Sequence, residues 1–404
     1  MTPPPLDFDQ ETLRLTAAVG FLVLSLFCCN VLLLPDRDRD SRMPLALFFM
    51  ASAGELLALP VSVLFPASPP SFATLALELA EIPLTMAQPF LLWLYVHRLT
   101  ADRTQPAQPQ RLLWHMLPIG FACAVYVYVL LLPPELQAGL YPGAQSLGIW
   151  QIIAFAGFYG ATAVFYVLIP IYAVLILRRL RRYRTRLKDL FASTEGRELA
   201  WAWWLTAAVC VFWLFNLMAI LATELALSFP GVGLLDSLTA AILVRFGLIW
   251  SIALWGTRQR PGLVPPPARA PETPDLPPPP PGPLRKYGHS GLSDDRLDRI
   301  ATKIDALMKD GKLYLEPDLS LWDLAERIGV TTHYASQALN EKIGLRFFDY
   351  VNGWRVREAA DRLRSTDATI LAIAYDVGFN SRSSFYTAFK REIGMTPSQY
   401  RSAA

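Results

Sequence analysis

Charge is scarce in this 404-residue chain: 18% of its residues are Asp, Glu, Lys or Arg, against about 25% in an average soluble domain. A single soluble globule of this size is therefore not expected. Cysteine and histidine are scarcer still, at four residues each. All four cysteines (Cys28, Cys29, Cys123, Cys210) fall inside apolar runs, so they read as small core side chains; neither a disulfide framework nor a metal site is expected. The chain also lacks a phosphate-cradling glycine loop and any intramembrane Ser/His or paired-aspartate arrangement. No catalytic residue and no cofactor are expected, and the chain does not read as an enzyme. What is plentiful is apolar: 53% of residues, concentrated in the first 256. The net charge of +3 says little, because the 37 basic and 34 acidic residues are unevenly placed.

Seven apolar stretches, near 13–34, 43–65, 72–97, 111–132, 149–177, 200–225 and 235–256, approach or exceed the roughly 20 helical residues that cross a bilayer core of about 30 Å. The first is flanked by Asp7, Asp9 and Glu11, where a cleaved signal would be basic, and is expected to remain as a span. Lys and Arg in the connections set the orientation. The connections after spans one and three carry Arg37, Arg39, Arg42 and Arg98, Arg103, Arg111; the one after span five carries eight basic residues between Arg178 and Arg197; the others carry none. This predicts a multi-pass protein of the bacterial inner membrane with its N-terminus outside and everything after Trp255 in the cytoplasm. The basic run at 178–188 is expected to meet anionic lipid.

Charge inside a span costs about 2.5–3.5 kcal/mol per residue on insertion scales, so each instance needs a reason. There are five: Glu55, Glu78, Glu81, Glu224 and Arg245. Glu55 lies twelve residues from the inner end of span two and Arg245 ten from the outer end of span seven. At 1.5 Å per residue both sit near the midplane, where they can pair. Glu78, Glu81 and Glu224 lie nearer the outer face, where three carboxylates lining a shared cavity could hold a cation, a proton or a cationic ligand. Interhelical hydrogen bonding and snorkelling are the alternative reading of all five. His97 and His115 flank one cytoplasmic connection, and Trp201, Trp203 and Trp204 open span six as an interfacial aromatic belt.

Residues 258–284 form a linker, in which twelve prolines occupy 23 positions from 261 to 283. Such a stretch takes an extended polyproline II form, about 3.1 Å per residue, with a reach of roughly 70 Å.

From 285 the pattern is that of a soluble helical domain, with helix-start signals at Ser293, at Asp318 to Ser320 and at Thr369. An internal repeat runs through it. Leu321, Leu324, Ala325, Ile328 and Gly329 recur 49 residues later as Ile370, Ile373, Ala374, Val377 and Gly378. Ala335, Leu339, Ile343 and Gly344 recur 50 residues later as Phe385, Phe389, Ile393 and Gly394. Each copy has the helix-turn-helix pattern: a small residue where two helices approach, then a glycine able to take positive φ, then a second amphipathic helix. The polar face of the second helix carries Thr332, His333, Ser336, Gln337 and Asn340 in the first copy, and Ser381, Arg382, Ser383, Tyr386, Thr387 and Lys390 in the second. Such side chains can reach base edges or phosphates from a major groove. Residues 346–363 between the copies read as one long helix that fixes their spacing.

Three segments carry a family resemblance: SLWDLAERIGVTTHYASQALNEKIG, RFFDYVNGWRVREA and ILAIAYDVGFNSRSSFYTAFKREIGMTPSQYR. Residues 285–402 resemble the DNA-binding domain of AraC-type transcription regulators. The resemblance implies two helix-turn-helix units on adjacent major-groove segments of double-stranded DNA, acting on RNA polymerase. It makes His333, Gln337, Ser383 and Thr387 the expected base readers, with Arg382 and Lys390 on phosphates. Many family members have a long basic residue at the positions of Gln337 and Thr387.

The expected fold is all-α: a seven-helix transmembrane bundle over 1–257, the proline-rich linker, and a domain with two helix-turn-helix units over 285–404. The expected function is a membrane-embedded transcription regulator whose spans sense an unidentified small molecule, lipid, ion or envelope signal. The alternatives are a transporter or membrane enzyme with an accessory DNA-binding domain, and a regulator that is merely anchored. A homodimer is compatible with the sequence and not required, because one chain already carries two reading helices.

Overall fold

The computed structural model describes residues 10–34, 39–64, 72–101, 109–140, 148–224, 238–259, 262–263 and 294–403. Nearly all of the expected linker, Ser293 and the side chain of Glu224 lie outside them. Among the described residues the regular elements are helical, apart from one isolated bridge between Phe191 and Ser320.

The chain divides into two compact units: Met1–Leu180 with Leu199–Leu263, and Arg181–Glu198 with Val264–Ala404. This departs from the boundaries expected from chain order. The connection after span five belongs with the C-terminal residues, because its apolar Phe191 and Ala192 are buried and Ala192 lies in a core built by residues 297–351.

In the first unit the helices are α1 (Gln10–Leu33), α2 (Arg39–Glu55), α3 (Ala58–Leu64), α4 (Phe72–Leu79), α5 (Glu81–Leu99), α6 (Leu117–Leu131), the short α7 (Pro134–Ala138), α8 (Ile149–Leu190), α9 (Ala200–Glu224) and α10 (Leu238–Gly256). Helix α8 continues into the second unit. Among the described residues, six helical stretches, from Leu15–Leu33 to Ala200–Leu221, are long and apolar enough to cross a membrane; α10 adds a shorter apolar stretch, Val244–Gly256. Helix α2 packs on α1 and α5, α1 also on α10, α5 on α6, and α9 on α10.

Proline explains the irregularities. Its ring clashes with the carbonyl four residues back. Pro60 and Pro83 thus interrupt the second and third apolar stretches at 56–57 and at Ala80. Pro170 lies inside the 42-residue α8, which continues unbroken past it. The carbonyl it releases, that of Tyr166, accepts a hydrogen bond from the Trp213 indole at 3.0 Å. A backbone group freed in this way and removed from water needs such a partner.

In the second unit, α11 (Asp294–Lys309), α12 (Leu321–Ile328), α13 (Thr332–Ala338), α14 (Phe347–Ser365), α15 (Ile370–Asp376), α16 (Arg382–Ile393) and α17 (Pro397–Ala403) surround two separate cores. Helix α14 serves both. Its first half gives Phe347, Tyr350 and Val351 to one, and its second half gives Val356, Ala359, Ala360 and Leu363 to the other.

Candidate nucleic-acid interface

The first helix-turn-helix is assembled by local chemistry. Ser320 caps α12 in a reciprocal box with Asp323, which satisfies backbone N–H groups that a helix start leaves free. Four residues after buried Ala325, Gly329 takes φ +69° and closes the helix. Thr331 Oγ1 then accepts from the Tyr334 amide at 3.5 Å and starts α13. A single π-turn, Leu339–Ile343, extends α13, and Gly344 at φ +77° ends it. Lys342 on that turn holds Asp294 and Asp298 of α11 at 2.5 and 2.9 Å.

The second unit repeats the plan. Thr369 caps α15 and Ser381 caps α16. Gly378 between them is indispensable on two counts. Its φ is +95°, and a Cβ there would lie 2.9 Å from the carbonyl oxygens of both Leu315 and Tyr314. Phe385 and Phe389 bury the inner face of α16, and Arg391 ties it to Asp349 of α14 at 2.8 Å.

What joins the units is a residue that sequence reasoning passed over. Arg355, at the middle of α14, is 1% exposed. Its guanidinium donates to the carbonyls of Tyr314 and Glu316 at 2.7 Å each, to Pro317 at 3.4 Å and to Ala192 at 3.5 Å, and to Asn352 Oδ1 at 3.3 Å. Burial pushes its pKa down to about 10, so it remains charged at neutral pH. Nearby, the Tyr314 hydroxyl donates to Glu358 at 3.0 Å, and burial together with that bond pushes the phenol up to about 12. Nothing in the local pattern of RFFDYVNGWRVREA marks Arg355 as buried; Asn352, three residues earlier and also buried, is the one faint signal.

The sequence-predicted readers separate into two groups. His333, Arg382, Ser383, Thr387 and Lys390 are exposed on the outer faces of α13 and α16, and Thr332 is half-buried. Arg382 lies over the Tyr386 ring at 5.0 Å, and the Tyr386 hydroxyl is 3.4 Å from Ser398 Oγ. The remaining residues are engaged within the domain. Gln337 donates to Glu341 at 3.1 Å while its own amide oxygen is buried without a partner. Asn340 donates to Ser336 at 3.3 Å. Ser381 Oγ accepts the Ser384 amide at 3.2 Å as a cap and donates to the Glu195 carboxylate. Its role at the helix start could have been read from the S-x-x-S spacing before the apolar face of α16.

In the first unit, Arg245 of α10 contacts the Glu55 carboxylate, which also accepts from Gln88 at 2.5 Å. Glu55 is 4% exposed, at the end of α2 where the helix breaks. Glu81 lies within electrostatic reach of both charges. Glu78 stands three residues before it in sequence, on α4. His115 and His97 join an aromatic cluster: His115 Nδ1 is 2.9 Å from the Tyr172 hydroxyl and stacks on Phe90 and Trp93, with His97 against Trp93. Among the described residues, no group of three or more His, Cys, Asp or Glu could hold a metal ion.

The similarities to known proteins fall on the C-terminal residues. A family model described as a helix-turn-helix domain matches residues 324–403. An uncharacterized HTH-type transcriptional regulator of Staphylococcus aureus strain COL is 34% identical over 110 residues, which are 27% of this chain and 14% of the relative. A protein of Streptomyces lividans described as an AraC-like transcription regulator is 37% identical over 112 residues, 28% of this chain and 34% of the relative. The chain thus spans much less than two thirds of these relatives. Among solved structures, the C-terminal domain of AraT, a response regulator from Geobacillus stearothermophilus, is 32% identical, with a TM-score of 0.24, covering 28% of this chain and 89% of that one.

Proposed function

We propose that this chain, whose C-terminal residues form an AraC-type helix-turn-helix domain, is a membrane-embedded transcription regulator that reads DNA with two helices and is controlled through its spans. The observation that carries the reading is the pairing of two capped, glycine-turned units on one helix, α14, each with an outer polar face. In this reading α13 and α16 enter successive major grooves about 34 Å apart. His333, Ser383 and Thr387 address bases, joined by Gln337 once it lets go of Glu341; Arg382 and Lys390 address phosphates. RNA polymerase is the partner that the family implies.

The apolar helices act as seven spans, with the N-terminus outside and the DNA-binding domain in the cytoplasm of a bacterial inner membrane. That orientation rests on the basic residues after spans one, three and five. The sensing element is the charge cluster of Glu55, Arg245, Gln88 and Glu81, because an ion pair bridging α2 and α10 can exist in two arrangements of unequal ligand affinity. The signal is a small molecule, lipid or ion.

The test is selection from random duplex DNA, run in parallel on the full chain in lipid nanodiscs and on residues 285–404. Enrichment by both of one motif with two half-sites about ten base pairs apart supports the reading. Failure of both to enrich any motif refutes it. Alkaline phosphatase fusions after Trp255 and before Gln10 test the topology: activity at the first site and none at the second would reverse it.

A further inference from the structure

The basic connection between the fifth and sixth apolar helices reads from sequence as a lipid-facing tail, yet its residues are built into the C-terminal unit. Ala192 is 1% exposed. Its amide donates to the Leu319 carbonyl at 3.0 Å, and its own carbonyl accepts from Asn352 at 3.2 Å and from Arg355 at 3.5 Å. Phe191 meets the Trp322 ring edge-on at 5.5 Å. Such pairing of a loop backbone at both its donor and its acceptor is the signature of a seated segment, since buried peptide groups without partners are costly. Further along, Ser193 Oγ accepts from Asn380 at 3.1 Å, and the Glu195 carboxylate accepts from Ser381 Oγ.

Those last two contacts fall at the start of α16, the second reading helix. A helix N-terminus carries a partial positive charge and free N–H groups that favour an anion. Here the anion already present is a side chain of the same protein. A DNA phosphate approaching that end of α16 would meet a carboxylate. The seated residues are also close in sequence to both neighbouring helices: α8, whose last turns are basic, ends at Leu190, and the apolar α9 begins at Ala200.

We propose that the waist of the DNA-binding domain, between its two helix-turn-helix units, is a docking site for the protein's own 191–195 segment. When docked, Glu195 covers the start of α16 and withholds it from DNA; when spans five and six shift, the segment leaves and α16 is released. This inference rests on the DNA-binding reading above. It assigns to that reading a physical route from membrane to DNA, through Ala192 and Glu195.

The experiment uses the full chain in nanodiscs and a mixed-sequence duplex of about 30 base pairs, long enough for three helical turns. Ser193→Cys with Asn380→Cys, oxidised by copper phenanthroline and mapped by mass spectrometry, reads docking without reference to DNA. The expected result is an intrachain 193–380 disulfide, and binding at least about threefold weaker in the oxidised than in the reduced form. Glu195→Gln, which keeps the segment seated and removes its charge, is expected to bind the duplex about threefold to tenfold more tightly than the parent. Absence of the disulfide overturns the docking. A disulfide with equal affinities, or a Glu195→Gln protein that binds like the parent, overturns the withholding while leaving the DNA-binding reading intact. If no form binds the duplex at all, the DNA-binding reading falls and the withholding falls with it, whatever the disulfide shows.

Discussion

Replacing Arg355 with methionine removes a buried side chain that bonds the Tyr314–Pro317 stretch on one side and lies over the Phe379 ring at 5.6 Å on the other. Methionine fills most of the volume but offers no donor, so five acceptors lose a partner, two of them carbonyls bonded at 2.7 Å. An orphaned buried carbonyl costs about 1–3 kcal/mol, so the two short bonds alone imply roughly 2–6 kcal/mol, and about 3 kcal/mol is a central expectation. At 1.4 kcal/mol per tenfold, that is about a 100-fold loss of amide protection in the segment around Tyr314 to Pro317 and along α14. Hydrogen exchange on the full chain in nanodiscs measures it directly. Arg355→Lys keeps the charge and loses the planar fork, and should fall between parent and methionine. The pH dependence is also fixed. Burial lowers the guanidinium pKa to about 10, so the folded state sheds its proton first, and this group favours folding more only as pH rises from about 10 through its unfolded value. Between pH 6 and 8 the ratio of parent to variant protection should therefore stay constant. Protection within threefold of the parent, or a ratio that changes across that range, would refute the structural role given to Arg355.

Two further substitutions probe the frame. Gly378→Ala must place a Cβ 2.9 Å from two carbonyl oxygens at φ +95°, which should cost at least about 2 kcal/mol. Because the two cores are separate, exchange should accelerate over 370–393 and leave 321–343 protected; equal acceleration of both would show that the cores are not independent. In the first unit, Arg245→Leu leaves Glu55 without its cation, at an expected penalty of roughly 3 kcal/mol if these helices span a bilayer as proposed. Melting in nanodiscs should fall by about 5 °C or more, and adding Glu55→Gln should restore most of it. A double variant no better than the single one would remove the ion pair as the cause.

How much of this was legible in the sequence depends on the range over which each signal acts. The helix-turn-helix units are read from residues within about 25 positions of one another: the apolar periodicity of Leu321 to Ile328, the turn glycines Gly329 and Gly378, and the caps Ser320 and Thr369. The 49-residue recurrence then states the fold twice. Depth arithmetic along two helices puts Glu55 and Arg245 at one level, and the two side chains are in contact. The breaks at 56–57 and Ala80 follow from proline sterics four residues upstream of Pro60 and Pro83 and were within reach of the same reasoning.

Arg355 and the 191–195 segment were not legible, for a single physical reason. An arginine in a helix reads as solvated unless something supplies acceptors. Here they come from an irregular stretch some forty residues earlier and from a loop 163 residues away, neither of which leaves a periodic trace near Arg355. Likewise, the connection between α8 and α9, with the end of α8, advertises its eight basic residues, while what seats it is a plain Phe-Ala pair, one isolated backbone bridge and two side chains that donate to the Ala192 carbonyl. Sequence patterns report faces that a segment turns toward its own neighbours; a loop held by its peptide groups presents none.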